Sequence, residues 1–538
     1  MDTFILGLCV ILIPLQALSL FLPSNQYTLA SFIAISFIYW IFAKDRYKKN
    51  ITKLKDILAS LSSFQKTVIL VFVAALIVNS LIPYSFYDAD YYHFQNIKWN
   101  EQYAAVSGLA NLEDRFGFNS NYLLLSSIFT FSFLFSEVYV LLQSLLFCLI
   151  FVWALARLFQ SQYDIKYIII LSLMGILYFL CSLTFKTSDT DIIPTLCIFY
   201  FFIKVVLDPD SIVKNLLFPV VLLISLITYK FSTAFFSIVC LYIIIHLIKE
   251  KMYRKIIFIS TACFLILLLW CTRNAIISGY LVYPIYYIDI FSFDWKVPKA
   301  ILILQKVHIT EWAYAVLRKT LASMATRGGI NLMLCFTTLI MLLVLIIKKK
   351  KLNKNLLIVG GCSVFSILLS LINAPDFRFV NGFILGNMLI LCVIIFEDKK
   401  SYFIKSGKYI AATFVLCIFA ITMVTNELKG DASLLLKPQG ASTAYSGVTE
   451  YPLGSVTILI TDDPHYRTFY TLPCSTLEEC LPFRANTGDK LQDLRTIEAR
   501  GESLQDGFRT KKEYVDILNQ DVDKYLSDYY KHKYNIVR

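Results

Sequence analysis

The strongest constraint on the fold of this chain is a series of long apolar runs, separated by short connectors that carry most of the charge. Hydrophobic residues make up 57% of the sequence and charged residues only 16%, whereas a soluble protein is nearer a quarter charged. Many runs are long enough to cross a hydrocarbon core of roughly 30 Å as helices. The pattern predicts an all-α polytopic membrane protein. Thirteen spans are predicted, at 3–22, 28–43, 66–83, 138–158, 166–185, 191–207, 214–230, 233–248, 256–272, 330–347, 356–373, 379–396 and 407–425.

Lysine and arginine concentrate in one set of connectors, and this asymmetry predicts how the chain is oriented. The clusters lie at 44–55, 157–166, 214, 249–255, 348–351 and 399–408. The positive-inside rule assigns all of them to the cytoplasm. The net charge of +12 therefore reports membrane orientation, and no nucleic-acid partner is expected.

This alternation holds only if the stretch 119–135 does not cross the membrane. Its apolar residues are few for a crossing and are interrupted by serines. We interpret it as a helix that lies in the outer interface or re-enters the membrane. The alternative is an ordinary short span that breaks the charge rule.

The predicted orientation divides the membrane region into two parts. Residues 1–65 form an N-terminal two-span extension with a cytoplasmic loop; its first span is expected to be retained, because Met1-Asp2 provides no basic signal-peptide start. Residues 66–426 form the transmembrane core, and its main polar loops, 84–121 and 273–329, face outward.

The C-terminal region, residues 427–538, has a soluble composition. A strand-like run at 456–461 and a charged helical end at 511–532 predict a small α+β domain, which the alternation places outside the membrane. Because that environment is oxidising, Cys474 and Cys480 are predicted to form a disulfide. The alternative is two free thiols.

The outer loop 84–121 carries two carboxylates, Asp88 and Asp90, directly after a predicted span. Residues 91–104 have the spacing of an amphipathic helix along the membrane surface, and Asp90 is placed as its N-cap. Asp88 is left without a structural role, and a partly desolvated carboxylate can act as general base toward an acceptor hydroxyl. Both are candidate catalytic residues; capping by both is the alternative.

Basic residues on the predicted outer face form a second candidate group, because the positive-inside rule disfavours them there. Several cations on this face indicate an anionic partner, and guanidinium groups suit phosphate oxygens. For Arg378 the alternative is a simple ion pair with Asp376. The candidate substrate-binding residues are His93, Lys230, Arg273, Asn274, Arg327, Asp376 and Arg378.

The sequence offers no firm metal site. His93 and His308 have no Cys or His neighbour at a ligand spacing. A divalent cation, Mg²⁺ or Mn²⁺, could be held by Asp88 with Asp90 or Asp189, although no pattern requires it.

Two resemblances follow from these motifs. An outer-loop aspartate just beyond a span, a surface helix and basic residues at later outer loops resemble the GT-C superfamily of polytopic glycosyltransferases. More narrowly, the chain resembles a family of bacterial envelope membrane proteins found in Bacteroidetes and spirochaetes, over most of its length. The motifs that carry this likeness are Y-D-A-D-Y-Y-H, G-L-A-N-L-E-D-R-F-G-F-N-S, R-N…S-G-Y-L-V-Y-P, W-K-V-P and A-P-D-F-R-F.

The resemblance implies an inverting glycosyltransferase in the bacterial plasma (inner) membrane. The donor would be a sugar on a polyprenyl phosphate, and the acceptor a glycan or lipid of the envelope on the outer side. The motif aspartate of the narrower family falls on Asp88, and the position of Asp90 varies. The donor phosphate would be held by Lys230, Arg273 and Arg378.

Two other functions compete with this prediction. An O-antigen polymerase or ligase also acts on undecaprenyl-diphosphate glycans from the outer side, but ligases of this kind rely on a large late loop rather than an early aspartate. A flippase or transporter of lipid-linked sugars is the second competitor. Carriers usually place ionisable residues near mid-membrane, where this sequence has almost none.

Overall fold

The structure is a computed structural model of the chain. It describes residues 1–81, 88–135, 139–181, 184–322, 327–348, 352–396, 413, 448–461, 474–475 and 496–520.

Most of the described chain is helical. The helices are α1 Asp2–Val10, α2 Leu12–Ser19, α3 Gln26–Phe42, α4 Lys44–Ala59, α5 Ser63–Leu81, α6 Phe94–Gln102, α7 Leu109–Leu112, α8 Asn121–Ser127, α9 Ser132–Phe135, α10 Leu142–Gln160, α11 Ile165–Cys181, α12 Ile192–Leu207, α13 Ser211–Lys214, α14 Leu217–Tyr229, α15 Ile238–Lys249, α16 Tyr253–Ser278, α17 Lys299–Ala322, α18 Arg327–Lys348, α19 Lys354–Asn373, α20 Asn381–Phe396 and α21 Lys512–Gln520. The strands are β1 Val448–Leu453, β2 Val456–Thr461, β3 Cys474–Ser475, β4 Ile497–Ala499 and β5 Phe508–Thr510.

Six stretches of the described chain are long and apolar enough to cross a membrane, which confirms the predicted membrane character. A seventh is added if α3 and α4, which meet at a bend of 95°, count as one broken span. Thirteen full-length spans are not shown. The six are Asp2–Ser19, Ser63–Ser80, Leu142–Gln160, Phe231–Lys249, Tyr253–Ser278 and Lys354–Asn373.

Most of the other predicted spans form shorter apolar helices. With 16 residues, α12 is about 24 Å long at the usual helical rise, short of a hydrocarbon core of roughly 30 Å. The apolar runs are longer than the helices because some of their residues form adjoining turns, such as the 3₁₀ turn Thr184–Lys186. The predicted span at 407–425 has only residue 413 described, and is untested.

Contacts between helix ends sort the connectors into two groups. At the lysine-rich end, the Asp2 carboxylate lies 3.0 Å from Lys204 Nζ, and Asn355 donates to Asp210 at 3.3 Å. At the opposite end, Ser120 donates to the carbonyl of Tyr229 at 2.7 Å. Each contact joins helix ends that the predicted alternation assigns to one side, and the side that each end faces stays a prediction.

The stretch 119–135 forms two short helices rather than a span. α8 has seven residues and is therefore about 10 Å long, too short to cross a bilayer. It is buried and packs against α2, α6 and α14.

The predicted surface helix at 91–104 is present as a π-helical turn, Ala89–His93, followed by α6. The prediction that its polar face lies exposed along the membrane surface is wrong, because Asn96, Asn100 and Glu101 are buried. The polar side chains are covered by partners from elsewhere in the chain. Glu101, for example, accepts a hydrogen bond of 2.7 Å from Thr130. α6 is thus an internal helix, held on its polar face by hydrogen bonds.

The described C-terminal region packs on the two loops predicted to face outward, 84–121 and 273–329, and forms a second hydrophobic core with them. This core includes Trp99 and Phe116 of the first outer loop, Tyr280 of the later loop, and Ile458 and Phe508 of the strands. β1, β2 and β3 form one sheet, and β4 pairs with β5 in another. The predicted sheet-containing C-terminal region and its strand at 456–461 are confirmed. Of the predicted helical end, only α21 is described.

Two glycines, Gly108 and Gly507, allow the backbones to approach closely in this docking. The Ser107 carbonyl accepts a hydrogen bond from the Phe508 amide at 3.0 Å. A Cβ on Gly108 would lie 2.1 Å from the Phe508 carbonyl oxygen, and a Cβ on Gly507 would lie 1.9 Å from the Ser107 carbonyl oxygen. The two backbones meet at this distance only because both residues lack a side chain.

Candidate functional site

Asp88 lies at the start of the π-helical turn, between two arginines that are distant in sequence. Its Oδ1 is 3.9 Å from Arg115 Nη1 and its Oδ2 is 3.5 Å from Arg378 Nη1. The Asp88 side chain is 28% exposed. The site therefore presents an accessible carboxylate with a guanidinium group on either side.

Arg378 is held in position by Asp376. The two residues belong to the turn between α19 and α20, where Asp376 accepts hydrogen bonds of 3.0 Å from both the amide and the Nε of Arg378. Because one carboxylate fixes both the backbone and the side chain, the remaining guanidinium edge points toward Asp88. The ion pair between Arg378 and Asp376 that the sequence analysis gave as an alternative is therefore present, and Arg378 also reaches Asp88.

Sequence reasoning missed Arg115, which completes the site from the 3₁₀ turn Asp114–Gly117. Its Nη2 lies 3.3 Å from His308 Nε2 of α17, and its guanidinium group lies 5.5 Å from the centre of the Tyr92 ring. The only available signal was its place in the motif G-L-A-N-L-E-D-R-F-G-F-N-S. The sequence analysis instead selected basic residues at the ends of predicted spans as substrate-binding candidates.

Lys230 adds a further ion pair next to Arg378. Its Nζ lies 2.8 Å from the Asp191 carboxylate and donates to Thr190 at 3.1 Å. The same nitrogen lies 4.9 Å from the centre of the Phe379 ring, beside Arg378. Asp189 accepts a hydrogen bond of 2.8 Å from the Asp191 amide.

The charges in this group shift one another's pKa values. Burial on its own would raise the pKa of Asp88, but the nearby positive charges, Arg378 first, outweigh burial and hold it below its usual value. Asp189 is 4% exposed; burial, then the Asp191 charge, raises its pKa to about 7. For Arg378, burial is outweighed by Asp376, Asp191, Asp88 and Asp189, so its pKa rises. At neutral pH Asp88 is therefore ionised and able to accept a proton.

Asp90 does not cap the helix, contrary to the prediction. The turn begins at Ala89, so the cap position belongs to Asp88, whose side chain makes no capping hydrogen bond. Asp90 lies inside the first turn, and its side chain is outside the described residues. The predicted role of Asp90 as the N-cap is therefore wrong. Asp88 makes no capping hydrogen bond and stays free to act.

His93 lies on the buried side of the same turn and is 2% exposed. Neither of its ring nitrogens has a hydrogen-bond partner among the residues that the structure describes. Burial, opposed by the Asp88 charge, lowers the His93 pKa to about 3. The imidazole next to Asp88 is therefore neutral.

The sequence model of one protein family, described as a domain of unknown function (DUF8201), matches residues 1–385. The chain belongs to this family. The match covers the whole Asp88 group, from Asp88 itself through Arg115, Asp189 and Lys230 to Arg378. No curated protein and no solved structure matches the chain.

Arg273, the predicted phosphate ligand, is buried and contacts neutral side chains. It is 4% exposed, donates to Asn119 at 3.0 Å and to the Ser19 hydroxyl at 2.9 Å, and also contacts Asn100. It thereby joins α16 to α2, α6 and the start of α8, and no contact in the described chain links it to the Asp88 group. This pattern fits a structural tether rather than a phosphate ligand.

The remaining predicted residues contribute less. Asn274 is 1% exposed, and its amide has no hydrogen-bond partner within the described ranges. The side chain of Arg327 and all of Cys480 lie outside those ranges, so the role of Arg327 and the disulfide with Cys474 stay predictions. Among the described residues, no three acidic, histidine or cysteine side chains form a group that could hold a metal ion.

Proposed function

We propose that the chain is a membrane glycosyltransferase of GT-C type. It would move a sugar, with inversion, from a polyprenyl-phosphate donor to a glycan or lipid acceptor of the bacterial envelope. The observation that carries the proposal is the partly exposed Asp88 carboxylate between Arg115 and Arg378. This site lies at the end of the bundle opposite the lysine-rich connectors, which the positive-inside rule would assign to the outer side of the plasma membrane.

In the proposed reaction, the acceptor hydroxyl oxygen attacks the anomeric carbon of the donor sugar. The bond from that carbon to the phosphate oxygen breaks, and the phosphate departs with the bonding electrons. Asp88 takes the proton from the attacking hydroxyl. The Arg115 and Arg378 guanidinium groups bind the phosphate oxygens and stabilise the charge that develops on them.

Donor binding would also activate Asp88. With the site empty, the neighbouring cations hold the pKa of Asp88 low, which makes it a weak base. A phosphate bound to Arg378 and Arg115 compensates those charges, so the Asp88 pKa rises toward the range in which proton transfer is efficient. The base is then strongest when the donor is present.

The position of the charges favours this reaction over transport. Asp88 precedes the first turn, Asp191 precedes α12, Lys230 follows α14, and Arg378 lies between α19 and α20. All are at helix ends, whereas carriers place ionisable groups near mid-membrane. The finer architecture, with thirteen spans and the C-terminal domain outside, belongs to the same proposal.

The proposal is tested by mass spectrometry of lipid extracts from a strain that lacks the gene. A polyprenyl-linked sugar should accumulate there and disappear when the wild-type gene is restored. Asp88→Asn should fail to clear it. Asp294→Asn, which removes an exposed carboxylate paired with Arg500 in the docked C-terminal region, should succeed. Normal lipid-linked sugars in the deletion strain, or full rescue by Asp88→Asn, would refute the proposal.

A further inference from the structure

α4 is an amphipathic helix with no role in the Asp88 site. Half of its 16 residues are charged, so it cannot span a membrane itself. Tyr47, Ile51 and Leu58 fall within about 40° of one another around a helix of 3.6 residues per turn. Tyr47 and Leu58 are 51% and 48% exposed. Within the part of the chain that the structure describes, the helix therefore presents a largely uncovered apolar stripe.

The charges of α4 are arranged around that stripe. On the same helical wheel, Lys44, Lys48 and Lys55 lie on one flank of the stripe and Arg46 lies about 120° away on the other side. Roughly opposite the stripe lie Lys49, Lys53, Asp45 and Asp56. Lysines on the flank can extend to headgroups while the stripe enters the acyl region. The acidic residues point away from the surface. This is the pattern of a helix that lies in a membrane interface.

The neighbouring helices place α4 where a membrane interface would lie. It follows the apolar α3 at a bend of 95° and precedes the candidate span α5. When α3 is upright in the bilayer, α4 runs parallel to its surface. Both ends of α4 are thus tied to membrane-embedded segments. After α4, Ser60 accepts a hydrogen bond of 3.3 Å from Gln160, at the lysine-rich end of the bundle.

Aromatic residues mark the corner between α3 and α4. The ring centres of Tyr39 and Trp40 are 5.1 Å apart, and those of Trp40 and Tyr47 are 5.8 Å apart. Arg46 donates to the Tyr39 hydroxyl at 3.1 Å, across the bend. Tyrosine and tryptophan concentrate at the boundary between headgroups and acyl chains, so this cluster independently places the corner at the interface.

We infer that α4 binds the anionic phospholipids of the cytoplasmic leaflet. The apolar stripe enters the boundary of the acyl chains, and the flanking cations contact the phosphate groups. The helix carries six basic and two acidic residues, which complements an anionic surface and distinguishes this face from a site for a neutral protein partner. This inference is independent of the proposed enzymatic function.

The test is hydrogen exchange of the full chain in two kinds of nanodisc, one of phosphatidylcholine alone and one that also contains phosphatidylglycerol. The amides of 44–59 should be better protected in the anionic discs. Each lysine near an anionic surface contributes about fivefold to membrane affinity. A variant with four lysines changed to glutamine should therefore lose the extra protection in anionic discs, and its amides at 44–59 should exchange about tenfold faster or more. The replaced residues are Lys44, Lys48, Lys53 and Lys55.

A matched control removes the same number of charges from another connector at the same end. Changing Lys249, Lys251, Arg254 and Lys255 to glutamine should leave the lipid dependence of 44–59 intact. Leu58→Ser should lower protection of 44–59 in both discs. Equal protection of 44–59 in the two discs for the wild-type chain would overturn the inference without any variant. So would an unchanged lipid effect in the α4 lysine variant, or no effect of Leu58→Ser.

Discussion

Replacing Gly108 with alanine should loosen the C-terminal region from the outer loops. Gly108 has φ +67° and a Cβ there would lie 2.1 Å from the Phe508 carbonyl oxygen and 2.8 Å from Trp295 Cβ. Such contacts below 3.0 Å are essentially never observed, so the two backbones must separate by about 1 Å. A backbone cannot yield as a flexible side chain would, and the docking hydrogen bonds should break.

The cost has two parts. The left-handed conformation costs alanine about 1–2 kcal/mol. The hydrogen bonds lost on separation, Ser107 with Phe508 at 3.0 Å and Asn111 with Thr510 at 2.9 Å, contribute about 0.5–1.5 kcal/mol each. The free energy of undocking should therefore fall by about 3 kcal/mol, which corresponds to roughly hundredfold faster amide exchange at Phe508.

Gly454→Ala is the matched control, because it carries the same backbone strain without the clash. Gly454 has φ +65°, and its Cβ would only touch Ala499 Cβ at 4.0 Å. Hydrogen exchange read by mass spectrometry should show a small local effect in the β1–β2 hairpin and unchanged protection at Phe508. Equal loss of Phe508 protection in the two variants would show that strain, not close approach, governs docking, and the explanation would fail.

Three further predictions concern the site and the orientation. Asp88→Asn should lower sugar transfer by about 10²–10⁴-fold while membrane levels stay normal, and Asp90→Asn should keep most activity; the reverse ranking would transfer the catalytic role to Asp90. The kcat/KM of transfer, which reports groups in the free enzyme, should persist as pH falls until Asp88, with its lowered pKa, is protonated; a kcat/KM that already falls near pH 7 would indicate Asp189, whose pKa is about 7. In intact spheroplasts, a cysteine at position 502 should be labelled from outside and one at 251 should not, and labelling at 251 would refute the orientation.

The candidate site was only partly predictable from the sequence. Asp88 could be found because it directly follows an apolar run and no structural role was assigned to its carboxylate. Arg273 looked equivalent to Arg378, since both lie near the outer end of a span. Packing separates them: Arg273 is enclosed by neutral partners on three segments, whereas Arg378 reaches Asp88. Arg115 carried no signal beyond its place in a motif, because its importance depends on Asp88 and His308, which only the fold brings next to it.

The sequence by itself determined the membrane class, the order of most helices and the strand at 456–461, since partition into lipid and strand propensity depend on nearby residues. Helix length was decided by the tertiary structure, because buried turns can use apolar residues as readily as helices do. Tertiary structure alone also assembled the charged group. Asp88 and Arg378 are 290 residues apart, and only the packing of the helix ends places an arginine and a carboxylate side by side.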